Sequence, residues 1–417
     1  MVRTSARHGY CGASVDAVLA EAGVSRATFY RHFANRKECF LAAYRSRAEP
    51  LAEYLRDWDP APGGEALRGL LTALLGAAEA DPLGARLIAI ECRALASTRA
   101  ERAALRETAA ATLSRCLAAD ADAGGEPLQA PLGALLGGVD AVLSRRLHQN
   151  RSPRLCALLF DLLTWLERYR VSAREPLAEA DWRRLAAGLE APSFSVPEGP
   201  ARLPRGRQAL SRSESAGVHR ARVLLAVARL SRRQGYERIT VTDVVADAGV
   251  SRAAFYACFR DRHDAFTAAQ VAGLQRSVSL TAAAFFGADD WPERLWRGLE
   301  AMLGYVASEP DLAAVDIVES YAAGPRAVAR SFQNRSAFLL FLEDGYRQPG
   351  QARRLPKLCS EAIGGAVLEL LRDRVLAGRT ETAWELLPAA AYLALAPFQG
   401  PDQALAFVDA RLGAGVG

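Results

Sequence analysis

A long internal repeat is the feature of this sequence that most constrains its fold. The segment GYCGASVDAVLAEAGVSRATFYRHFANRKECFLAAY runs from Gly9 to Tyr44, and GYERITVTDVVADAGVSRAAFYACFRDRHDAFTAAQ runs from Gly235 to Gln270. About half of the aligned positions are identical, and weaker similarity continues far downstream of both segments. A repeat on this scale means that one structural unit occurs twice in the chain.

The composition predicts that each unit is helical. Ala, Leu, Arg and Glu dominate the 417 residues, and these residues favour helices, whereas runs of β-branched residues are scarce. We therefore predict an all-α fold of two tandem units, each with an N-terminal three-helix domain and a larger helical domain. The predicted boundaries are 1–48 and 49–190 for the first unit, 191–216 for a linker rich in Pro, Ser, Gly and Arg, and 217–272 and 273–417 for the second unit.

Each N-terminal domain carries the spacing of a helix-turn-helix. In the second copy, Thr240 and Asp243 form an N-cap pair, and the turn Ala248-Gly249-Val250 precedes a helix capped by Ser251. In the first copy, Ser14 to Glu21, the turn Ala22-Gly23-Val24 and the helix from Ser25 to Phe33 repeat this order. A second helix placed this way can enter the major groove of DNA.

The motifs GVSRATFYRHF and GVSRAAFYACF resemble the N-terminal signature of the TetR family of transcriptional regulators. The resemblance implies DNA contacts at the start of each recognition helix, a phosphate contact from Tyr30 and Tyr256, and another from Arg36 and Arg262. Phe29, Phe33, Phe255 and Phe259 are expected to be core residues, since each pair lies four residues apart on one helix face. The predicted DNA-binding residues are Ser25, Arg26, Thr28, Tyr30, His32, Arg36, Ser251, Arg252, Ala254, Tyr256 and Arg262.

The two heads are expected to read different sequences. Thr28, Arg31 and His32 of the first copy become Ala254, Ala257 and Cys258 in the second. Only eight residues precede Gly9, so the first helix of the first head is predicted to be truncated.

The resemblance also implies a small-molecule effector pocket and a dimer-like interface in the helical domains. Glycine pairs near positions 137 and 364 begin helices that would join the helices at 152–170 and 380–398 in a four-helix interface. The predicted pocket residues are Trp58, Glu91, Trp296, Tyr305, Glu319 and Tyr321.

Other classes of protein are disfavoured by the sequence. Seven scattered cysteines contain no Cys-x-x-Cys pair, and neither they nor the five histidines have metal-ligand spacing. No hydrolase, metalloprotease, Walker or dinucleotide motif occurs, so we expect neither a catalytic site nor a cofactor. The absence of an apolar run of about 18 residues predicts a cytoplasmic protein without a membrane partner.

Together these features predict a ligand-responsive repressor that binds double-stranded DNA. The two non-identical heads would read an asymmetric operator as an intramolecular pseudo-dimer, although a homodimer of chains is also compatible. The alternative is a protein-interaction or scaffold module whose DNA-binding heads have degenerated.

Overall fold

The computed structural model of the chain describes residues 1–60, 64–124, 126–128, 130–149, 154–171, 181–182, 185, 189, 212–348 and 355–413. At residues 212–215 it describes the backbone but not the side chains. Residues 191–211 of the predicted linker lie outside this range, and residues 212–216 belong to a helix.

The described residues form helices in the same order in both units. Each of the nine α-helices that these residues form in the first unit has a counterpart in the second unit. The first unit contains α1 (Val2–Gly12), α2 (Val15–Ala22), α3 (Arg26–His32), α4 (Arg36–Arg56), α5 (Ala66–Ala80), α6 (Pro82–Ala89), α7 (Arg99–Asp122), α8 (Leu132–His148) and α9 (Leu159–Glu167). The second unit contains α10 (Arg212–Gln234), α11 (Val241–Ala248), α12 (Arg252–Cys258), α13 (Arg262–Phe285), α14 (Trp291–Ser308), α15 (Pro310–Ala314), α16 (Pro325–Phe338), α17 (Leu358–Leu376), α18 (Leu387–Gln399) and α19 (Pro401–Gly413). Strand-like pairing in the described residues is limited to an isolated bridge between Leu128 and Arg170, and the predicted all-α tandem fold is confirmed.

The first helices of the two heads differ in length. Helix α1 has 11 residues and is interrupted at Gly9, where φ is 67°, whereas α10 has 23 residues.

One continuous apolar core joins the two units. It extends from Tyr10 in the first head to Val408 in α19 and includes the centre of the second head. The centre of the first head is separate, a small cluster of Val18, Phe29 and Cys39. The second head is therefore anchored in the main core more extensively than the first.

The two units meet where α8 crosses α17. Gly137 and Gly365 lie against each other at this crossing, and a Cβ added to Gly365 would overlap Ala141 and lie 3.1 Å from the Gly137 carbonyl oxygen. The glycines thus allow the two backbones to approach closely, and they lie inside α8 and α17 where the sequence predicted that they begin these helices.

Helices α9 and α18 complete the predicted four-helix contact. The Tyr169 hydroxyl, just after α9, donates a hydrogen bond of 2.8 Å to the Leu393 carbonyl oxygen in α18. Ion pairs flank the crossing. The Arg146 guanidinium lies 3.2 Å from the Glu361 carboxylate, and the Arg106 guanidinium pairs with the Glu369 carboxylate. Polar pairs at the edge of an apolar contact favour one relative orientation of the helices.

No helix in the described part of the chain combines the length and the apolar character that a membrane span needs.

Candidate nucleic-acid interface

The two helix-turn-helix elements share the same capping and turn geometry. The Ser25 hydroxyl caps α3 by accepting the Thr28 backbone N–H at 3.1 Å, and Ser251 caps α12 in the same way through Ala254. Gly23 ends α2 with φ 65°, a left-handed conformation that glycine adopts without strain. The cap and the turn together fix the orientation of each recognition helix relative to the helix before it.

The turn of the second head is equally well defined. Gly249 ends α11 with φ 59°, and Thr240 and Asp243 form the predicted capping box at the start of α11. Asn35 and Asp261 cap α4 and α13. At the start of these helices, Glu38 accepts a hydrogen bond from the Ala34 backbone N–H, and Asp264 accepts one from the Arg260 backbone N–H.

The phenylalanines and tyrosines of the recognition helices separate into interior and surface residues. Phe29, Phe255 and Phe259 are buried and Phe33 is half-buried, in line with a core role. Tyr30 and Tyr256 are 49% and 56% exposed, and each packs edge-on against the phenylalanine that precedes it. The exposed hydroxyls are thus held by a rigid neighbour, which suits a contact to a phosphate.

The arginine at the start of each recognition helix has a different partner in the two heads. Arg26 is ion-paired with Asp16 on α2, whereas Arg252 donates a hydrogen bond of 2.9 Å to the Thr242 hydroxyl at the corresponding position of α11. Both arginines are exposed. A carboxylate beside Arg26 competes with a phosphate for the guanidinium, and a hydroxyl beside Arg252 does not.

Arg36 and Arg262 lie partly inside the heads. Arg36 stacks over the Tyr10 ring at 4.3 Å and donates to the Tyr10 and Cys11 carbonyl oxygens at 3.3 and 3.1 Å. Arg262 stacks over Tyr236 at 4.4 Å and donates to the Ile239 carbonyl oxygen. In this conformation both guanidiniums hold the end of the first helix against the head, so a phosphate contact would compete with these bonds.

The loss of basic residues from α12 is partly offset by Arg260. His32 is exposed at the end of α3, whereas its counterpart Cys258 is half-buried. Just after α12, Arg260 replaces Ala34 of the first head, and its side chain is 86% exposed. The signal for this added cation in the sequence is the alignment of the two copies, which places Arg260 opposite Ala34.

A cavity of about 170 Å³ lies mainly in the second unit, with Ala141 and Arg145 of α8 in its wall, and one of the six predicted pocket residues, Tyr305, lines it. Helix α13 lines it with Gly273, Ser277, Thr281 and Phe285, which recur every four residues on one face. Trp58, Trp296, Glu91, Glu319 and Tyr321 are not among its lining residues. The structure places these five residues in the core or at contacts between segments of the protein.

Glu91 and Glu319 occupy equivalent junctions between body and head. The Glu319 carboxylate accepts a hydrogen bond of 2.9 Å from the Tyr236 backbone N–H, and the Glu91 carboxylate accepts one from the Tyr10 backbone N–H. Burial raises the pKa of both carboxyls, and these hydrogen bonds oppose the increase. In the first unit Arg86 also pairs with Glu91 at 2.9 Å.

Tyr321 lies between the two units among three arginines. Its hydroxyl accepts from Arg335 at 3.0 Å and from Arg372 at 3.4 Å, and Arg93 of the first unit lies 5.3 Å from the ring centroid. Burial alone would raise the pKa of Tyr321, but the three guanidiniums outweigh this effect and lower it to about 6. The three guanidiniums thus favour the ionised form of the phenol over the neutral form.

The described residues contain no group of three or more His, Cys, Asp or Glu side chains that could hold a metal ion.

Comparison with solved structures finds TetR-type regulators. A fatty acid degradation regulator, FadR, from Bacillus halodurans is 18% identical and matches 44% of this chain and 97% of its own, with a TM-score of 0.40. A TetR-family regulator from Marinobacter aquaeolei is 19% identical over 42% of this chain and 96% of its own, with a TM-score of 0.34. PfmR from Thermus thermophilus is 21% identical over 46% and 95%, with a TM-score of 0.33. No curated protein sequence matches the chain.

A family model matches the N-terminal segment of each unit. The model described as bacterial regulatory proteins, tetR family, matches residues 2–43 and again residues 223–269. These ranges enclose the two helix-turn-helix elements whose capping, turns and exposed tyrosines correspond position by position. The chain belongs to the TetR family of bacterial regulatory proteins, and it carries two units of this family in tandem.

Proposed function

We propose that the chain is a ligand-responsive transcriptional repressor that binds double-stranded DNA as an intramolecular pseudo-dimer. Heads 1–48 and 217–272 would each read one half of an asymmetric operator, and bodies 49–190 and 273–417 would pair them and bind the effector. In this proposal the protein acts by binding and catalyses no reaction.

The observation that carries this proposal is the contact between equivalent residues of the two units. Gly137 meets Gly365, and Cys11 lies 3.9 Å from Glu237, its counterpart 226 positions later. Equivalent residues meet in this way only near an axis of approximate two-fold symmetry. Such an axis supports two heads placed for successive major grooves by one chain, without a second copy.

The exposed residues of the recognition helices support a DNA-reading role for both heads. We propose that Arg26, Tyr30 and His32 contact DNA in the first head and Arg252 and Tyr256 in the second. Ser25, Thr28, Ser251 and Ala254 would shape the start of each helix and touch the backbone or base edges. Arg36 and Arg262 would position the heads, and would reach a phosphate only if DNA draws them from their tyrosine rings.

Selection of binding sites from a random pool of double-stranded DNA tests the proposal. We expect two unlike half-sites about one helical turn apart, with binding that weakens steeply as salt increases. Tyr30→Phe and Tyr256→Phe should each weaken binding, whereas Tyr54→Phe, which removes an exposed hydroxyl outside the heads, should not.

The remaining outcomes of the selection separate the alternatives. A single half-site, or a palindrome bound by two chains, would contradict the pseudo-dimer while leaving a DNA-binding function in place. No enriched sequence would favour the scaffold module.

A further inference from the structure

A short segment of the second unit contacts both heads as well as the cavity. We name residues 315–325 the relay segment. It begins with a π-helical turn, Val315–Glu319, and ends at Pro325, the first residue of α16. Turns of the π type are rare and occur frequently at functional sites.

The first part of the relay segment forms a wall of the cavity. Asp316 and Ile317 line the cavity. The buried Asp316 carboxylate accepts hydrogen bonds from Asn334 at 3.1 Å and from Gln270 at 3.3 Å. A change in the shape of the cavity therefore acts directly on the π-helical turn.

The middle of the relay segment holds the second head. Glu319 follows Asp316 by three residues and accepts the backbone N–H of Tyr236, the residue that links α10 to the recognition half of the head. The same carboxylate lies 4.0 Å from the position that a Cβ on Gly235 would occupy. Movement of Glu319 would thus be transmitted to the hinge of the second head at positions 235 and 236.

The end of the relay segment holds the first head. The Cys11 thiol donates a hydrogen bond to the Ala322 carbonyl oxygen. Pro325 packs against Gly9 so closely that a Cβ at Gly9 would lie 2.8 Å from the proline Cδ. Gly9 is the counterpart of Gly235, so the relay segment contacts the same hinge in both heads.

Three polar groups of the cavity define the kind of ligand that fits. The Thr281 hydroxyl, the Tyr305 hydroxyl and the Arg335 Nε are buried and have no hydrogen-bond partner among the described residues. All three residues line the cavity, whose other walls are mainly Leu, Phe, Ile and Val side chains. Since all three groups can donate, the ligand should present a hydrogen-bond acceptor.

The charge and size of the cavity favour a small neutral ligand. Asp316 and Glu361 line the cavity beside Arg335 and Arg145, so the cations already have carboxylates near them. A volume of about 170 Å³ is close to that of an engineered cavity of about 150 Å³ in another protein that holds benzene.

We propose that one uncharged ligand, an aromatic or aliphatic molecule of about ten non-hydrogen atoms with a carbonyl or hydroxyl group, binds in the second unit and controls both heads through the relay segment. This inference rests on the proposed function only in assuming that the heads are the output. The first unit would then supply a head, an interface and, through Ala141 and Arg145, part of the cavity wall, and one bound molecule would be enough to regulate the whole chain.

Hydrogen exchange on the full-length chain, without DNA, tests the relay. Acetophenone serves as the probe because it has an aromatic ring and one carbonyl, and ethylbenzene is the matched probe without the acceptor. We expect acetophenone to bind at least fivefold more tightly than ethylbenzene. We also expect it to change amide exchange at least threefold in both 9–13 and 235–239.

Variants of Glu319 test the route to the second head. Glu319→Ala should abolish the response at 235–239 while the response at 9–13 persists, and Glu319→Gln, which keeps an acceptor oxygen, should restore it. Glu91→Ala, the matched change in the first unit, should leave the response at 235–239 unchanged.

Three results would overturn the proposal. They are no preference for acetophenone, a response confined to one head, and a response at 235–239 that survives Glu319→Ala. Because no DNA is present, these results are independent of whether the heads select an operator.

Discussion

At the residue scale, the partner of a single arginine distinguishes the two heads. Asp16 pairs with Arg26 in the first head, and Thr242 takes its place in the second. Asp16→Thr should therefore free the Arg26 guanidinium to bind a DNA phosphate. DNA binding should tighten about two- to fivefold, and the binding constant should depend more steeply on salt, by about one released counterion. Thr242→Asp should weaken binding by a similar factor. Fluorescence anisotropy on the selected DNA at several salt concentrations measures both effects, and equal affinities for all three proteins would show that neither arginine reaches the DNA.

A second residue-scale prediction concerns the pH dependence of stability at Tyr321. Its folded pKa of about 6 lies below the value of roughly 10 in an unfolded chain. The unfolded state therefore binds the extra proton between these values, and the stabilisation by the phenolate increases with pH across that interval and is lost below it. Denaturant unfolding should show that Tyr321→Phe lowers the free energy of unfolding by more at high pH than at low pH.

Tyr305→Phe is the matched control for this pH effect. Burial raises the pKa of Tyr305, so its hydroxyl stays protonated in both states throughout the same range and its contribution should not vary. A Tyr321→Phe cost that is constant with pH would mean that the three arginines do not hold a phenolate.

At the scale of elements, the crossing of α8 and α17 depends on the absence of side chains. Gly365→Ala should destabilise the protein by about 1–3 kcal/mol, because the new methyl group overlaps Ala141. Gly76→Ala in α5 should instead stabilise it by about 1 kcal/mol, since no neighbouring atom lies within 4 Å and alanine favours the helix. Urea unfolding measures both, and a similar gain in both variants would contradict close packing at the crossing.

The two heads should also differ in local stability. The apolar centre of the first head is a separate cluster and α1 is short, whereas the second head shares the main core and has a long α10. We expect amides of α2 and α3 to exchange faster with solvent than those of α11 and α12, because fewer buried contacts resist local opening. Native-state hydrogen exchange measures the difference, and equal protection would mean that the small cluster is sufficient.

These elements also show what the sequence can and cannot predict. Local signals predicted the helix-turn-helix elements, because caps such as Ser25 and turns such as Gly249 act within a few residues. The glycine pairs predicted the crossing of α8 and α17 through family resemblance. Sequence patterns cannot identify the residues that line a cavity, because lining depends on packing between distant helices, and Glu319 and Tyr321 have partners, Tyr236 and Arg93, from distant segments of the chain.

At the scale of the whole molecule, the fusion of two units changes what symmetry requires. In a dimer of identical chains both heads must read the same half-site, so the preferred operator is a palindrome. In this chain the two recognition helices differ at three positions, while Gly137 and Gly365 of the two bodies lie against each other. Under the proposed function, one chain would keep the geometry of a dimer without its constraint on the operator.

The recognition helices themselves provide the sharpest test of this idea. Helices α3 and α12 differ at only three positions, where Thr28, Arg31 and His32 stand opposite Ala254, Ala257 and Cys258. The combined change Thr28→Ala, Arg31→Ala and His32→Cys makes the two helices identical and should convert the selected site from two unlike half-sites towards a palindrome. The reverse changes in α12 should select a different palindrome. Because the bodies are untouched, the mass of each complex should still correspond to one chain per site, and two chains per site would mean that a homodimer binds the DNA.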